Sequence, residues 1–91
     1  MEFEWDENKN QENIKKRGIS FEEATAIFDR PMWTRIDDRH DYGEVREASI
    51  GDIGNFVIVV VAHTERNNKT RIISARKATP KGTVKLEMKT A

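Results

Sequence analysis

Seven consecutive apolar residues, Phe56-Val57-Ile58-Val59-Val60-Val61-Ala62, constrain this 91-residue chain more than anything else in it. The run is far too short to span a membrane, and its β-branched content marks a strand. A strand that is apolar at every position, rather than at every second one, belongs in the middle of a sheet with both faces covered. It runs straight into His63-Thr64-Glu65-Arg66, and a second unit, Thr70-Arg71-Ile72-Ile73-Ser74-Ala75, runs into Arg76-Lys77. Two apolar strands thus end in cations, a histidine and a carboxylate.

The rest of the chain supplies a cover for that sheet. Phe3 and Trp5 alternate with acids, as in a short strand. Asp6 can cap a helix over about residues 7–17, whose Lys15-Lys16-Arg17 meet the negative end of the dipole before Gly18 stops it. Ser20-Phe21-Glu22-Glu23 forms a capping box, and Phe21, Ala24, Ile27 and Phe28 share one face of a second helix, which ends at Arg30-Pro31. Strands are then expected from Trp33 to about Asp38, from Glu44 to Ile50 and in the two apolar units, with turns at residues 39–43, 51–55 and 67–69. The alternation over Glu44–Ile50 leaves open which side faces inward. The expectation is an α+β domain over residues 1–79, in the order β-α-α-β-β-β, with two N-terminal helices packed on an antiparallel sheet. Residues 80–91, which begin with Pro80-Lys81-Gly82, form a tail or a short helix.

Composition excludes several functions. At this length there is room for one modest core, burying roughly two-thirds of the unfolded surface. No cysteine is present, so there is neither a disulfide nor a cysteine-based zinc site. The N-terminus lacks the basic and apolar regions of a signal peptide, from which a cytoplasmic location is expected. The zero net charge conceals an asymmetry: residues 1–50 hold 8 Lys/Arg and 13 Asp/Glu, residues 51–91 hold 8 and 3. A basic C-terminal half can hold a polyanion, although charges of opposite sign can equally face each other across the fold.

Cationic strand ends suit a phosphodiester. Cutting RNA without a metal requires deprotonation of a 2′-hydroxyl, in-line attack on phosphorus, stabilisation of a dianionic transition state and a proton for the leaving 5′-oxygen. Guanidinium, always ionised and forked to fit two phosphate oxygens, matches the charge step, which singles out Arg66 and Arg76. Strand alternation puts Arg71, Ile73, Ala75 and Lys77 on one side and Ile72, Ser74, Arg76 and Ala78 on the other, so Lys77 is a neighbouring phosphate contact or a solvated charge. The two arginines are expected to converge on one hollow. Glu65 is the candidate general base, with His63 and His40 as alternatives; His63 follows a buried strand and equally suits a packed core position. Lys15-Lys16-Arg17 can contact RNA phosphates, but a helix C-terminus favours cations for purely local reasons, the preferred explanation. Trp33 and Tyr42 can stack a base, but a tryptophan in so small a domain is more often core. Asp37, Asp38, Asp41 and His40 have no spacing that fixes a metal geometry.

These residues carry a resemblance. Phe3-Glu4-Trp5-Asp6, Lys9, Asn13 and Gly18, Phe21-Glu22-Glu23-Ala24, Phe28-Asp29, His40 with Gly43-Glu44-Val45-Arg46, Thr64-Glu65-Arg66 and Arg71-Ile72-Ile73-Ser74-Ala75-Arg76-Lys77-Ala78 together resemble the BrnT family of type II toxins over about residues 3–79. The resemblance implies a RelE-like fold and an endoribonuclease that needs no cofactor and arrests translation. It also implies a cognate antitoxin of the BrnA type in a hetero-oligomer, touching DNA only through that antitoxin. Glu65, Arg66, Arg76 and His40 are then the expected catalytic residues, and Lys77, Arg46, Arg71 and Lys69 the expected RNA contacts. Two positions depart from the family pattern: Arg17 stands where a histidine is common, and Pro80-Lys81-Gly82 interrupts the usual C-terminal helix. They keep a second reading in view, a non-catalytic nucleic-acid-binding or protein-interaction module of a toxin–antitoxin-like complex.

Overall fold

A computed structural model describes residues 1–38 and 43–78. After strand β1 (Phe3–Glu4), the Asp6 carboxylate accepts from the backbone N–H groups of Asn8 and Lys9 at 2.8 and 3.3 Å and opens helix α1 (Glu7–Arg17). Gly18 closes it with φ +70°, its N–H bonded to the Ile14 carbonyl. Very little of α1 is apolar, and the residues it buries are Asn10 and Asn13. Asn10 accepts from the Phe21 N–H at 2.8 Å, and Asn13 donates to the carbonyls of Ile19 and Ala75, both at 2.8 Å. Hydrogen bonds, not an apolar stripe, fix this helix.

The expected capping box is present: the Ser20 hydroxyl accepts from the Glu23 N–H and the Glu23 carboxylate accepts from the Ser20 N–H, each at 3.0 Å. Helix α2 (Phe21–Ala24) is one turn, continued as a 3-10 helix over Thr25–Asp29. Phe21, Ala24 and Ile27 drop into the core with Ile19, Val59, Val61, Ile72 and Ala75. Full burial of a phenylalanine such as Phe21 contributes about 1.5–3 kcal/mol. The helix lies close on the sheet: a Cβ on Gly51 would stand 3.1 Å from the Ile27 Cβ.

Four strands follow, at the four segments expected, so the full order has one strand more than β-α-α-β-β-β counts: β2 (Met32–Ile36), β3 (Glu47–Asp52), β4 (Ile58–Arg66) and β5 (Lys69–Lys77). The sheet runs β1-β5-β4-β3-β2, antiparallel except that β1 pairs with β5 in parallel. Asn67 and Asn68, at φ 55° and 64°, make the two-residue turn that joins β4 to β5. Phe56 does not begin β4: it lies in the preceding turn at φ 63° and is fully exposed. Among the described residues no helix is long and apolar enough to cross a membrane.

β4 is central, as its apolar run implies, but it is sealed on one face alone. Val59 and Val61 are buried under the helices, whereas Ile58, Val60 and Ala62, on the other side, stay half-buried. The expected double cover is therefore corrected. Pairing across that second face sets two rows of side chains, Arg35-Ala48-Ala62-Ser74 and Trp33-Ile50-Val60-Arg76. Residues 79–91, which include the expected tail or short helix over 80–91, lie outside the described residues.

Candidate functional site

The antiparallel β4–β5 pair sends its two strand ends in opposite directions. Arg66 pairs with Lys69 beside the turn and Arg76 pairs with Val60, so the two arginines stand the length of β4 from Val60 to Arg66 apart. At the usual strand rise that is about 20 Å. Their expected convergence on one hollow is thus corrected by topology: C-terminal ends of antiparallel neighbours cannot meet.

At the turn end the cations are already compensated. The Arg66 guanidinium donates to Glu44 at 2.8 Å, and Arg46 donates to the other oxygen of the same carboxylate at 3.3 Å. Arg66, the first cause, holds the Glu44 carboxyl below its usual range, with Arg46 adding a smaller pull. Arg71 pairs with Glu4 at 3.8 Å, Glu65 accepts from the Thr70 hydroxyl at 2.7 Å, and Lys69 is exposed at the turn. Glu65 and Arg66, as strand neighbours, point to opposite faces.

The other end differs. On the open face Arg17, Arg35, Asp37, Ala48, Val60, Ala62, Ser74, Ala75 and Arg76 line a hollow of about 220 Å³. Its floor is low because Ala48 and Ala62 occupy the middle of their row, and longer side chains rise on either side. Arg35 enters from β2, Arg76 from β5, and Arg17 from the end of α1, which packs along β5 where β1 is too short to reach. Asn13 bonds both the carbonyl and the N–H of Ala75 there, doing for that sheet edge what a neighbouring strand would. All three arginines are exposed, and among the described residues none forms an ion pair. Three guanidiniums against the one carboxylate of Asp37 around one depression leave an excess of positive charge, a site for a phosphate or similar anion.

Lys77 is not part of it. It faces the helix side, its Nζ 3.9 Å from where a Gly18 Cβ would be, and adds a minor pull to a Glu23 carboxyl already lowered by its Ser20 hydrogen bonds. Arg71 shares the open face with Arg76, contrary to the regular alternation, because β5 bulges: Ala62 pairs with Ser74 and His63 with Ile72, leaving Ile73 without a partner. His40 lies outside the described residues, as does Tyr42. Among the described residues no three His, Cys, Asp or Glu side chains group as metal ligands would.

His63 is a core residue. Its Nε2 bonds the Ser49 hydroxyl at 2.7 Å, Ser49 bonds Thr34 at 2.7 Å, and the ring meets Phe28 edge-on with centroids 5.0 Å apart. Burial, the main cause, pushes the imidazole below its usual pKa, while Glu47 and Glu65 pull it partly back.

Sequence reasoning gave Arg35, Asp37 and Ser74 no part in a site and preferred a local explanation of Arg17 to a phosphate contact. The available signal was the alternation Trp33-Thr34-Arg35, which sets a tryptophan and an arginine on one face of β2 without saying which face. The structure turns both outward, so Trp33, expected in the core, is 45% exposed.

The chain matches the family model described as "Ribonuclease toxin, BrnT, of type II toxin-antitoxin system" over residues 5–82. Its fold is similar to that in the crystal structure of the Brucella abortus ribonuclease toxin BrnT, with a TM-score of 0.65 and 24% identity, over 87% of this chain and 97% of that one. No curated protein sequence matches it.

Proposed function

The chain belongs to the BrnT family of ribonuclease toxins of type II toxin–antitoxin systems, and from that premise we propose that it cuts RNA at the arginine hollow without a metal ion. The observation that carries this reading is the trio Arg17, Arg35 and Arg76, free of ion pairs among the described residues and gathered around one depression. Arg35 and Arg76 approach from opposite sides and clamp the non-bridging oxygens of the scissile phosphate. Arg17 closes the third side. The 2′-oxygen loses its proton and bonds to phosphorus as the bond to the 5′-oxygen breaks, and that oxygen takes up a proton, which leaves a 2′,3′-cyclic phosphate and a 5′-hydroxyl. Charge on the phosphorane is greatest when both oxygens are partly bonded, and fixed guanidiniums lower the barrier most at that point.

The proton transfers fall to Asp37, which lines the hollow, and to His40, three residues further along the chain. Arg66 and Lys69 stand at the turn end of β4 and β5, away from the hollow, and Arg46 and Arg71, nearer to it, are engaged by Glu44 and Glu4. In this reading the four cations meet the RNA backbone beyond the cut, and Glu65, held by Thr70, takes no proton. Cleavage of RNA in the cytoplasm arrests translation until a cognate antitoxin, itself DNA-binding, covers the toxin in a hetero-oligomer.

The test is cleavage by the purified chain with 5′-end mapping in the presence of EDTA. Arg76→Ala and Arg35→Ala each lower the rate by about 10²–10³-fold, the cost of removing one transition-state donor, whereas Arg66→Ala has a far smaller effect. Scission that needs added divalent metal, or an Arg76→Ala protein as active as the parent, refutes the proposal.

A further inference from the structure

The molecule has two tryptophans in contrasting settings. Trp5 donates its indole N–H to Glu7 at 3.1 Å and meets Phe21 edge-on, so it is a structural residue. Trp33 is 45% exposed and, among the described residues, neither donates a hydrogen bond nor touches another ring. It projects from the open face of β2, two residues before Arg35, and heads the row Trp33-Ile50-Val60-Arg76. Ile50 and Val60 are half-buried, so the surface between the indole and the hollow is apolar.

We propose that Trp33, with Ile50 beside it, is a nucleobase subsite: it stacks the unpaired base of a nucleotide adjoining the phosphate held in the arginine hollow. The inference rests on the cleavage reading above and extends it to the class of substrate. Same-face neighbours on a strand lie about 7 Å apart, so a phosphate on Arg35 leaves its own or the next nucleotide's base within reach of the indole. The guanidiniums complement the backbone's charge and the indole complements a base face, the pairing of cationic groove and aromatic platform that single strands favour. A base stacked in a duplex cannot turn onto such a platform. The substrate is therefore a single-stranded or looped segment, and the strength of stacking sets which base is preferred beside the cut.

The experiment measures binding of the full-length chain to a 2′-O-methyl oligoribonucleotide, which cannot be cleaved, and to a series with one abasic position each. Trp33→Ala weakens the intact oligonucleotide by about five- to a hundred-fold, the range for losing one base–aromatic stack, and Trp33→Phe restores most of it. One abasic position causes a loss of the same size in the parent protein and none in Trp33→Ala, because the two changes remove one contact. Equal binding by parent and Trp33→Ala, or an abasic loss that persists undiminished in Trp33→Ala, overturns the subsite. If binding also ignores Arg35→Ala and Arg76→Ala, the cleavage reading fails as well; if it depends on the arginines and not on Trp33, only the subsite is lost.

Discussion

The two faces of the sheet handle polar side chains in opposite ways. On the helix-covered face Asn10, Asn13, Ser49 and His63 are buried, and each is hydrogen-bonded to a neighbour that holds it in place. On the open face Arg17, Arg35 and Arg76 stand exposed around a hollow, none of them in an ion pair among the described residues, with Asp37 the one carboxylate in its lining. Hydrogen-bonded polar groups in a low-dielectric interior specify a fold, and of these four residues only His63 keeps a buried ring nitrogen, Nδ1, without a partner. Unpaired cations at a surface depression await a ligand. Residues that are neighbours in sequence, such as Ala48 and Ser49, therefore serve separate ends, and substitutions at the two should fail in different ways.

The largest expected effect comes from Ala48→Glu. Ala48 lies in the floor of the hollow, between Arg35 and Ala62, so a carboxylate there pairs with the guanidiniums and repels phosphate. RNA cleavage should drop by at least about 10²-fold, the scale of losing one transition-state donor, while the melting temperature holds, because the new side chain points to solvent. A variant that stays active would detach the hollow from the chemistry. Next in size is Ser49→Ala on the covered face. It leaves His63 Nε2 buried without its partner, at a cost of about 1–3 kcal/mol, read as a fall in unfolding free energy at unchanged activity per folded molecule. Equal stability with lower activity would instead mean that the Thr34-Ser49-His63 chain serves catalysis.

His63 gives a pH signature of the covered face. Its imidazole is held below the usual 6.5, chiefly by burial. Above 6.5 both states are neutral there and the residue adds no pH dependence. As pH falls through 6.5 the unfolded chain takes up a proton that the folded chain refuses, so stability declines until the folded pKa is passed, by no more than about 1.4 kcal/mol per pH unit. Melts between pH 7.5 and 5 should show this acid loss in the parent and not in His63→Gln. Identical slopes in the two proteins would place the titration elsewhere.

The elements legible in the sequence were those set by local chemistry. Asp6, Gly18 and the Ser20–Glu23 box mark helix ends through bonds spanning only a few residues, and the apolar run of β4 announces a central strand by composition. What escaped depends on partners far along the chain. The Ile73 bulge exists only in the register of β5 against β4, and it moves Arg71 onto the face of Arg76. Which side of β2 turns outward is settled by the pairing of Thr34 with Ser49, not by β2 itself. The site was half legible for the same reason: Arg76 was identified as a cation at a strand end, but Arg35 comes from another strand and Arg17 from a helix, and no spacing in sequence links the three.

The smallest expected effect tests the turn end. Glu44 accepts from both Arg66 and Arg46, and Arg66 in particular keeps its carboxyl ionised below the usual 4.5. Its contribution is present at neutral pH and is lost only as pH falls through that lowered pKa. The Arg66 and Glu44 side chains are 47% and 26% exposed, and exposed pairs of this kind are screened by salt and add little. Glu44→Gln should therefore leave the melt at pH 7 within the scatter of repeats and cleavage unchanged, although it frees the Arg66 guanidinium to meet RNA. Tighter, more salt-dependent RNA binding at an unaltered cleavage rate would confirm that this cation touches the backbone away from the reaction. A large gain or loss in the rate itself would put the reacting phosphate at the paired end and reverse the assignment of the two ends of the β4–β5 pair.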